Sequence, residues 1–132
     1  KKEITNFIPQ CIFKERPLGI LEATVKFLKE ERNLSFNQIA KLLRRDNRTV
    51  WSAYHTGTKK KKKRFAVKEE NMLVPIAIFS DRKLGLLESL SFYLRERRNM
   101  SFHEIGLALN RDERTIWTSY QAGKRKRSGY EK

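Results

Sequence analysis

Apolar side chains recur at every third or fourth position in six short runs of the chain, which is the spacing of one buried helix face. The runs predict helices at about 20–32, 36–43, 47–56, 86–98, 102–109 and 113–122. In the first three helices the inward-facing residues are Leu21, Val25, Leu28, Phe36, Ile39, Ala40, Leu43, Val50, Ala53 and Tyr54. An extended apolar stretch with a proline at its second position precedes each set of three helices. The pattern predicts an all-α fold, and it leaves open whether each extended stretch covers its own helices or the other set.

The two sets of helices are copies of one sequence unit, displaced by 66 residues and called here the first and the second repeat. The strongest block, 45–54, matches 111–120, and Ile12 with its neighbour Phe13 returns as Ile78-Phe79. The predicted segments are a first unit at 1–58, a basic linker at 59–73, a second unit at 74–124 and a basic tail at 125–132. Units of about 50 residues are near the lower size limit for a stable hydrophobic core, so we expect each to need contacts with the other unit or with a second chain.

Capping signals set the ends of the shorter helices. Ser35 with Gln38 forms a capping box at the start of the second helix, and Ser101 with Glu104 repeats it. A turn of three or four residues then leads to the third helix, which we expect to end at a left-handed glycine. These two glycines are Gly57 and Gly123. Two short helices joined by such a turn are typical of a helix-turn-helix, so the chain is predicted to hold two tandem three-helix units of this kind.

The segments 35–43 and 46–50 resemble the helix-turn-helix of sigma factor region-four-like DNA-binding domains, and the second repeat carries the same likeness. The resemblance covers the last two helices of each repeat. It implies that the third helix of each unit enters the major groove of duplex DNA. Two departures from the family pattern are Arg44, where such turns usually carry glycine, and the bulky Trp51 and Trp117 at a position that is often polar.

The formal net charge is +15, and ten of these charges lie in the runs 59–64 and 124–127. Like charges repel, so we expect these runs to stay extended as arms that bind phosphate. A solvated linker and tail, or a nuclear-import signal, are the alternatives. The arm residues predicted to bind nucleic acid are Lys59, Lys60, Lys61, Lys62, Lys63, Arg64, Lys124, Arg125, Lys126 and Arg127.

The third helices supply the other residues predicted to bind nucleic acid, and all of these except the two tryptophans are expected to face base edges. These residues are Asn47, Arg48, Thr49, Trp51, Ser52, His55, Glu113, Arg114, Thr115, Trp117, Thr118 and Gln121. Each arginine is suited to guanine, asparagine to adenine and glutamate to the cytosine amine. The alternative for each arginine is an exposed or phosphate-contacting role, and for each threonine a phosphate contact or a cap. We expect both tryptophans to pack against the first helix, with contact to a sugar or thymine methyl as the alternative.

These features predict a site-selective transcription regulator that binds double-stranded DNA with two recognition helices in successive major grooves. The linker is long enough to place two units about 34 Å apart, one duplex turn, in either direct or inverted order. The alternatives are a nonspecific nucleoid or chromatin architectural protein, the DNA-binding part of a larger recombination or partition protein, and an RNA-binding or protein-interaction module.

Several classes of function are not expected. No run of about 18 apolar residues exists, so no membrane span is predicted. A single cysteine, Cys11, cannot form an intrachain disulfide, which fits a cytoplasmic, nucleoid-associated protein, or a nuclear one in a eukaryote. His55 and His103 are isolated from each other, so we expect no enzyme, no cofactor and no metal. The chain begins at Lys1, and we therefore expect a fragment of a longer protein, with a homodimer and further domains outside the fragment both left open.

Overall fold

Six helices and a short two-stranded sheet make up the part of the chain that the structure, a computed structural model, describes: residues 6–67 and 72–131. The helices are α1 (Ile20–Glu31), α2 (Phe36–Leu43), α3 (Asn47–Lys60), α4 (Leu86–Glu96), α5 (Phe102–Leu109) and α6 (Glu113–Glu131). The strands are β1 (Phe7–Pro9) and β2 (Leu73–Pro75), each followed by a 3₁₀ helix, Gln10–Lys14 or Ile76–Ser80. The predicted all-α class is confirmed. Residues 1–5, 68–71 and 132, which belong to the predicted first unit, linker and tail, lie outside the described residues.

Both predicted capping boxes form. The Ser35 hydroxyl accepts a hydrogen bond from the Gln38 amide at 3.1 Å, and the Gln38 side chain accepts one from the Ser35 amide at 2.8 Å. Ser101 and Glu104 repeat this exchange at 3.0 and 2.8 Å. Each pair satisfies two amides that have no partner within the helix, and this fixes the first residue of α2 and of α5.

Left-handed residues make the turns between helices. Arg44, at φ 55°, and Asn110, at φ 56°, end α2 and α5 and so reverse the chain toward the third helix of each repeat. Asn33 and Asn99, both at φ 58°, make the turn between the first and second helices. Asparagine tolerates this conformation better than most residues. Arg44 adopts it as well, so the turn forms without the usual glycine.

The predicted glycine caps are wrong, because α3 and α6 continue through Gly57 and Gly123. No glycine of the described residues has a positive φ. What these two glycines allow is a close approach of helices: a Cβ at Gly57 would lie 3.4 Å from the Glu22 backbone oxygen, and one at Gly123 would lie 3.3 Å from that of Glu88. The missing side chain therefore serves helix packing, and the third helix of each repeat runs beyond it.

The expectation that the charged runs stay extended is wrong for Lys59, Lys60 and 124–127. Lys59 and Lys60 form the last residues of α3, and 124–127 lie within α6. Lys60 binds the Glu22 carboxylate at 2.8 Å, and Lys126 binds that of Glu88 at 2.7 Å, the equivalent pair. Carboxylates of the neighbouring helix thus offset the repulsion that would extend these runs, and the predicted boundary at 124 falls inside a helix.

The linker folds back over α1 of its own repeat. Phe65 is buried beside the Phe27 ring at a centroid distance of 6.4 Å, and Arg64 binds the Glu31 carboxylate at 2.9 Å. The buried ammonium of Lys26 donates to the Lys63 carbonyl oxygen at 3.0 Å. An apolar anchor, an ion pair and a buried hydrogen bond therefore hold 63–65 in place.

The extended stretches pack against both their own repeat and the other repeat, which answers the question that the sequence left open. Strands β1 and β2 pair antiparallel across the two repeats. The 3₁₀ helix Gln10–Lys14 packs between α1 of its own repeat and α5 of the other, and Ile76–Ser80 packs likewise between α4 and α2. Phe13 and Phe79 meet edge to face at 6.0 Å. One continuous core thus joins two repeats that are each near the lower size limit for independent folding.

Candidate nucleic-acid interface

The predicted base-facing residues lie together on the outer faces of α3 and α6. Asn47, Arg48, Thr49, Trp51, Ser52 and His55 are all exposed on α3. Glu113, Arg114, Thr115, Trp117 and Thr118 are exposed on α6, and Gln121 is half-buried. Each helix therefore presents a continuous polar and aromatic surface that begins at its first residue.

The inner face of each helix holds this surface in position. Val50 and Ile116 are fully buried. The Tyr54 hydroxyl donates to a Glu30 carboxylate oxygen at 3.1 Å, and Tyr120 donates to Glu96 in the same way. Burial and this carboxylate raise the pKa of Tyr54, and for Tyr120 the hydrogen bond to the carboxylate is the larger cause of the raised pKa. Both phenols therefore remain neutral donors that tie the third helix to the first.

The expected packing of both tryptophans against the first helix is wrong. The side chain of Trp51 is 52% exposed and that of Trp117 is 49% exposed. Residues that pack inward in α3 precede and follow Trp51, at Val50 and Ala53, so the tryptophan faces outward by helix geometry. Its ring contacts the His55 ring one turn later, with centroids 4.0 Å apart. The indoles thus belong to the exposed surface.

The first residue of each third helix is held by the second helix through a pair that differs between repeats. The Asn47 side chain donates to the Asn37 side chain at 3.4 Å. In the second repeat the corresponding partners are His103 and Glu113, whose Nδ1 and Oε1 atoms are 3.4 Å apart. Glu113 also lines an open depression on the surface of α6 together with Arg114 and Trp117. The two repeats therefore offer different hydrogen-bonding groups at equivalent positions.

Arginines gather beside the turn that precedes each third helix, and some come from the opposite repeat. Arg45 follows the left-handed residue of the first repeat, and partial burial together with the nearby positive charge of Arg82 lowers its pKa. Burial and the charge of Arg16 lower the pKa of Arg111 in the same way. Arg16 and Arg82 are exposed. Sequence reasoning missed this charge because it arises only when one repeat packs on the other.

The predicted arm residues divide into paired and outward-facing groups. Lys60, Lys61, Arg64 and Lys126 each bind a carboxylate of their own repeat. The hydrogen bond from Arg64 lowers the pKa of Glu31. Burial acts to raise the pKa of Glu88, but hydrogen bonds from Lys126 and from the Gly85 amide outweigh it, and the pKa is lowered.

The other arm residues have exposed side chains. They are Lys59, Lys62, Lys63, Lys124, Arg125 and Arg127. Two of these lie over aromatic rings, with Lys124 6.0 Å from the Tyr120 centroid and Arg127 4.8 Å from that of Phe92. Lys59 therefore lies on α3, and Lys124, Arg125 and Arg127 lie on α6, the helices that carry the predicted base-facing residues, while Lys62 and Lys63 follow the end of α3.

Within residues 6–67 and 72–131 no three His, Cys, Asp or Glu side chains come together in a group that could hold a metal ion. None of the helices described above is both long and apolar enough to cross a bilayer. Comparison with protein-family models, with curated proteins and with solved structures found no match to the chain.

Proposed function

We propose that the chain is a site-selective double-stranded DNA-binding protein, a transcription regulator with two helix-turn-helix units similar to sigma factor region-four-like domains. The observation that carries the proposal is the exposed outer face of α3 and α6, which starts directly after a left-handed turn. In a helix-turn-helix, the N-terminal residues of the second helix of the motif contact base edges in the major groove. Here those positions hold Arg48 and Arg114.

Specificity in this proposal comes from a small set of polar side chains. Arg48 and Arg114 each bind guanine O6 and N7 through two hydrogen bonds. Asn47 pairs with adenine and Glu113 accepts from the cytosine amine, so the two half-sites are related but not identical. The exposed indoles of Trp51 and Trp117 contact sugar or the thymine methyl group. This contact would explain why two large apolar side chains lie on a solvent-exposed surface.

Affinity in this proposal comes from the basic residues along α3, α6 and the linker. Each neutralised phosphate contributes about −0.9 to the slope of log K against log salt concentration. Arg16 and Arg82, beside the turns, add positive charge next to the recognition helices. We expect a steep salt dependence, and a nearly flat titration would contradict a role for the basic surface.

The test of the proposal is selection of bound duplexes from random DNA at two salt concentrations. Recovery of one motif at both concentrations is the expected result. Binding without any recovered motif would favour the second candidate, a nonspecific nucleoid or chromatin architectural protein. The exposed lysines beside the helices favour that candidate. A gel shift against unrelated competitor DNA distinguishes site-selective binding from nonspecific binding. Absence of duplex binding would overturn both.

Arg48→Ala and Arg114→Ala give a residue-level prediction. Each should relax base preference at one position of the recovered motif by about 1–3 kcal/mol, because a bidentate contact is lost. Lys62→Ala is the matched control, since its side chain is also exposed but lies outside the recognition helices. This control should weaken binding to all duplexes alike. Equal effects of the arginine and lysine variants on base preference would contradict the assignment.

A further inference from the structure

The two repeats are related by a two-fold axis, which passes through the small sheet. In the pairing of β1 with β2, Ile8 lies directly opposite Val74, and these are equivalent residues 66 positions apart. Phe7 lies opposite Pro75, and Pro9 lies opposite Leu73, so the flanking pairs also exchange under the 66-residue shift. An antiparallel pair centred on equivalent residues is the register that a two-fold axis requires.

The contacts around the sheet follow the same symmetry. The Gln10 amide donates to the Met72 carbonyl oxygen at 2.7 Å, and the equivalent Ile76 amide donates to the Asn6 carbonyl oxygen at 2.9 Å. Phe13 and Phe79, again equivalent, touch each other. A contact that recurs with its two partners exchanged is the mark of an isologous interface, here within one chain.

Two arginines extend the symmetry to the turns before the recognition helices. Arg45 donates to the carbonyl oxygen of Phe79 at 3.1 Å, and Arg111 donates to that of Phe13 at 3.2 Å. Each arginine also donates to the last residue of its own second helix, Leu43 or Leu109. The start of each third helix is thus fixed to the opposite repeat, so α3 and α6 share the two-fold relation of the sheet.

We infer that the DNA target is an inverted repeat of two non-identical half-sites, and that a single chain covers both. The inference rests on the proposed function. A duplex site is mapped onto itself by a two-fold axis perpendicular to the helix, so a two-fold protein engages both half-sites only when they are inverted. A direct repeat would need the two units to be related by translation along the duplex, which the reciprocal contacts do not allow.

Positions at which the two repeats carry different side chains predict where the two half-sites differ in base pairs. On the recognition surface the equivalent pairs Asn47/Glu113, Ser52/Thr118 and His55/Gln121 are chemically different. Arg48/Arg114, Thr49/Thr115 and Trp51/Trp117 are the same in both repeats. The target should therefore be palindromic at the positions read by the arginines and asymmetric at those read by the first helical residue.

The first test is the arrangement of the motif selected from random duplexes. The recovered half-sites are rebuilt in synthetic duplexes as an inverted repeat, a direct repeat and a single half-site. We expect the inverted repeat to bind about tenfold or more tightly than the other two, because these lose the base contacts of one unit. Equal binding to the direct repeat or to the single half-site would overturn the inference while leaving site-selective binding intact.

The number of chains on each duplex, measured by sedimentation or native mass spectrometry, gives a second reading. One chain per inverted repeat is expected. Two chains per repeat, or one chain joining two duplexes, would overturn the inference, since either result means that α3 and α6 do not share one duplex. A protein that binds no duplex at all would instead contradict the proposed function, so the two failures are distinguishable.

A symmetrised variant tests the origin of the asymmetry. Glu113→Asn, Thr118→Ser and Gln121→His together give α6 the recognition residues of α3, at positions that are exposed or half-buried. Selection with this variant should return a perfect palindrome that carries the half-site of the first repeat twice. The matched control is the reverse exchange in α3, Asn47→Glu with Ser52→Thr and His55→Gln, which should return the other half-site twice. An unchanged motif in both variants would overturn the assignment of half-sites to helices.

Discussion

At the scale of single residues, solvent exposure separates the side chains of α3 that stabilise the fold from those that are available for binding. Trp51 is about half exposed, while its neighbour Val50 is fully buried. A tryptophan that keeps about half of its area in contact with water contributes less to folding than a fully buried one would. Its contribution is therefore expected in binding.

Trp51→Ala and Trp117→Ala should change the free energy of unfolding by no more than about 0.5 kcal/mol, as for other surface positions. Each should nevertheless weaken DNA binding, because a large exposed group is removed from the recognition face. Thermal unfolding and a DNA titration on the same samples measure the two effects. Val50→Ala is the control, and it should destabilise the fold by about 1–3 kcal/mol through lost core packing. A tryptophan variant that unfolds as readily as this control would contradict the exposed placement.

Arg45 and Arg111 connect the repeats by donating hydrogen bonds to backbone carbonyl groups of the opposite repeat. Arg111 donates to the carbonyl oxygens of Phe13, Leu18 and Leu109 from one guanidinium group. A lysine ammonium has a single nitrogen and does not reach such dispersed acceptors. The fork shape of the guanidinium, rather than its charge, is what the interface uses.

Arg111→Lys should therefore destabilise the protein by about 1.5–3 kcal/mol, the range for hydrogen bonds from charged groups. Arg114→Lys, on the exposed face of α6, is the matched control and should leave the unfolding midpoint unchanged. Denaturant unfolding of both variants provides the measurement. Equal midpoints for the two variants would show that Arg111 acts only through its charge.

At the scale of elements, the last turns of α6 are held through a carboxylate at the start of α4. Glu88 accepts hydrogen bonds from the Gly85 amide at 2.9 Å and from Lys126 at 2.7 Å. Its pKa in the folded protein is lowered below the ordinary value of 4.5. The ionised form thus favours folding, and that contribution is present above the unfolded-state pKa and is lost as the pH falls through the folded-state pKa.

Glu88→Gln should reduce the loss of stability on acidification, because the variant has no carboxylate to protonate at this position. The melting temperature of wild type should fall more steeply than that of the variant as the pH decreases below about 4.5, the ordinary value for this group. Lys126→Met provides the second comparison, since it removes the strongest side-chain donor and should also flatten the curve. Parallel melting curves for all three proteins would contradict the role of this contact.

The starts of the helices were predictable from sequence, as were the ends of α2 and α5, but the ends of α3 and α6 were not. The capping boxes at Ser35 and Ser101 depend only on residues three apart, so local sequence determines them. The ends of α3 and α6 depend on Glu22 and Glu88, which lie 38 residues from the lysines that they bind. Local sequence patterns predicted that the glycines end the helices and that the lysines form extended arms. Contacts between residues far apart in sequence determine the observed structure in both cases.

The outward-facing residues of α3 and α6 could also be predicted, because they too depend on local sequence. The 3.6-residue period of α3 and α6 determines which side chains face outward, so the exposed set could be read from the apolar positions. The tryptophans were expected to pack against the first helix, although their place in the helical period puts them on the exposed face. The positions of Arg16 and Arg82 beside the turns could not be predicted from sequence, because these residues approach the turns only through contacts between the repeats.

At the scale of the whole molecule, α3 and α6 are joined by packing between the repeats more than by the linker. The extended stretches carry no sequence signal for which repeat they cover, so the reciprocal arrangement was beyond prediction. Once β1 and β2 pair and each 3₁₀ helix packs on the opposite repeat, the spacing of α3 and α6 is set by the core. The sequence-based prediction took linker length as what places the two units one duplex turn apart. In the structure, linker length does not determine that spacing.

A Gly-Ser insertion within 68–71 should therefore leave the preferred half-site spacing unchanged in a selection from random duplexes. The same insertion in the double variant Arg45→Ala/Arg111→Ala should broaden the range of spacings, because the donors that fix both turns to the opposite repeat are gone. The double variant without the insertion is the control for the loss of stability alone. If the insertion alone shifts or broadens the spacing, the linker and not the shared core sets the distance between the recognition helices.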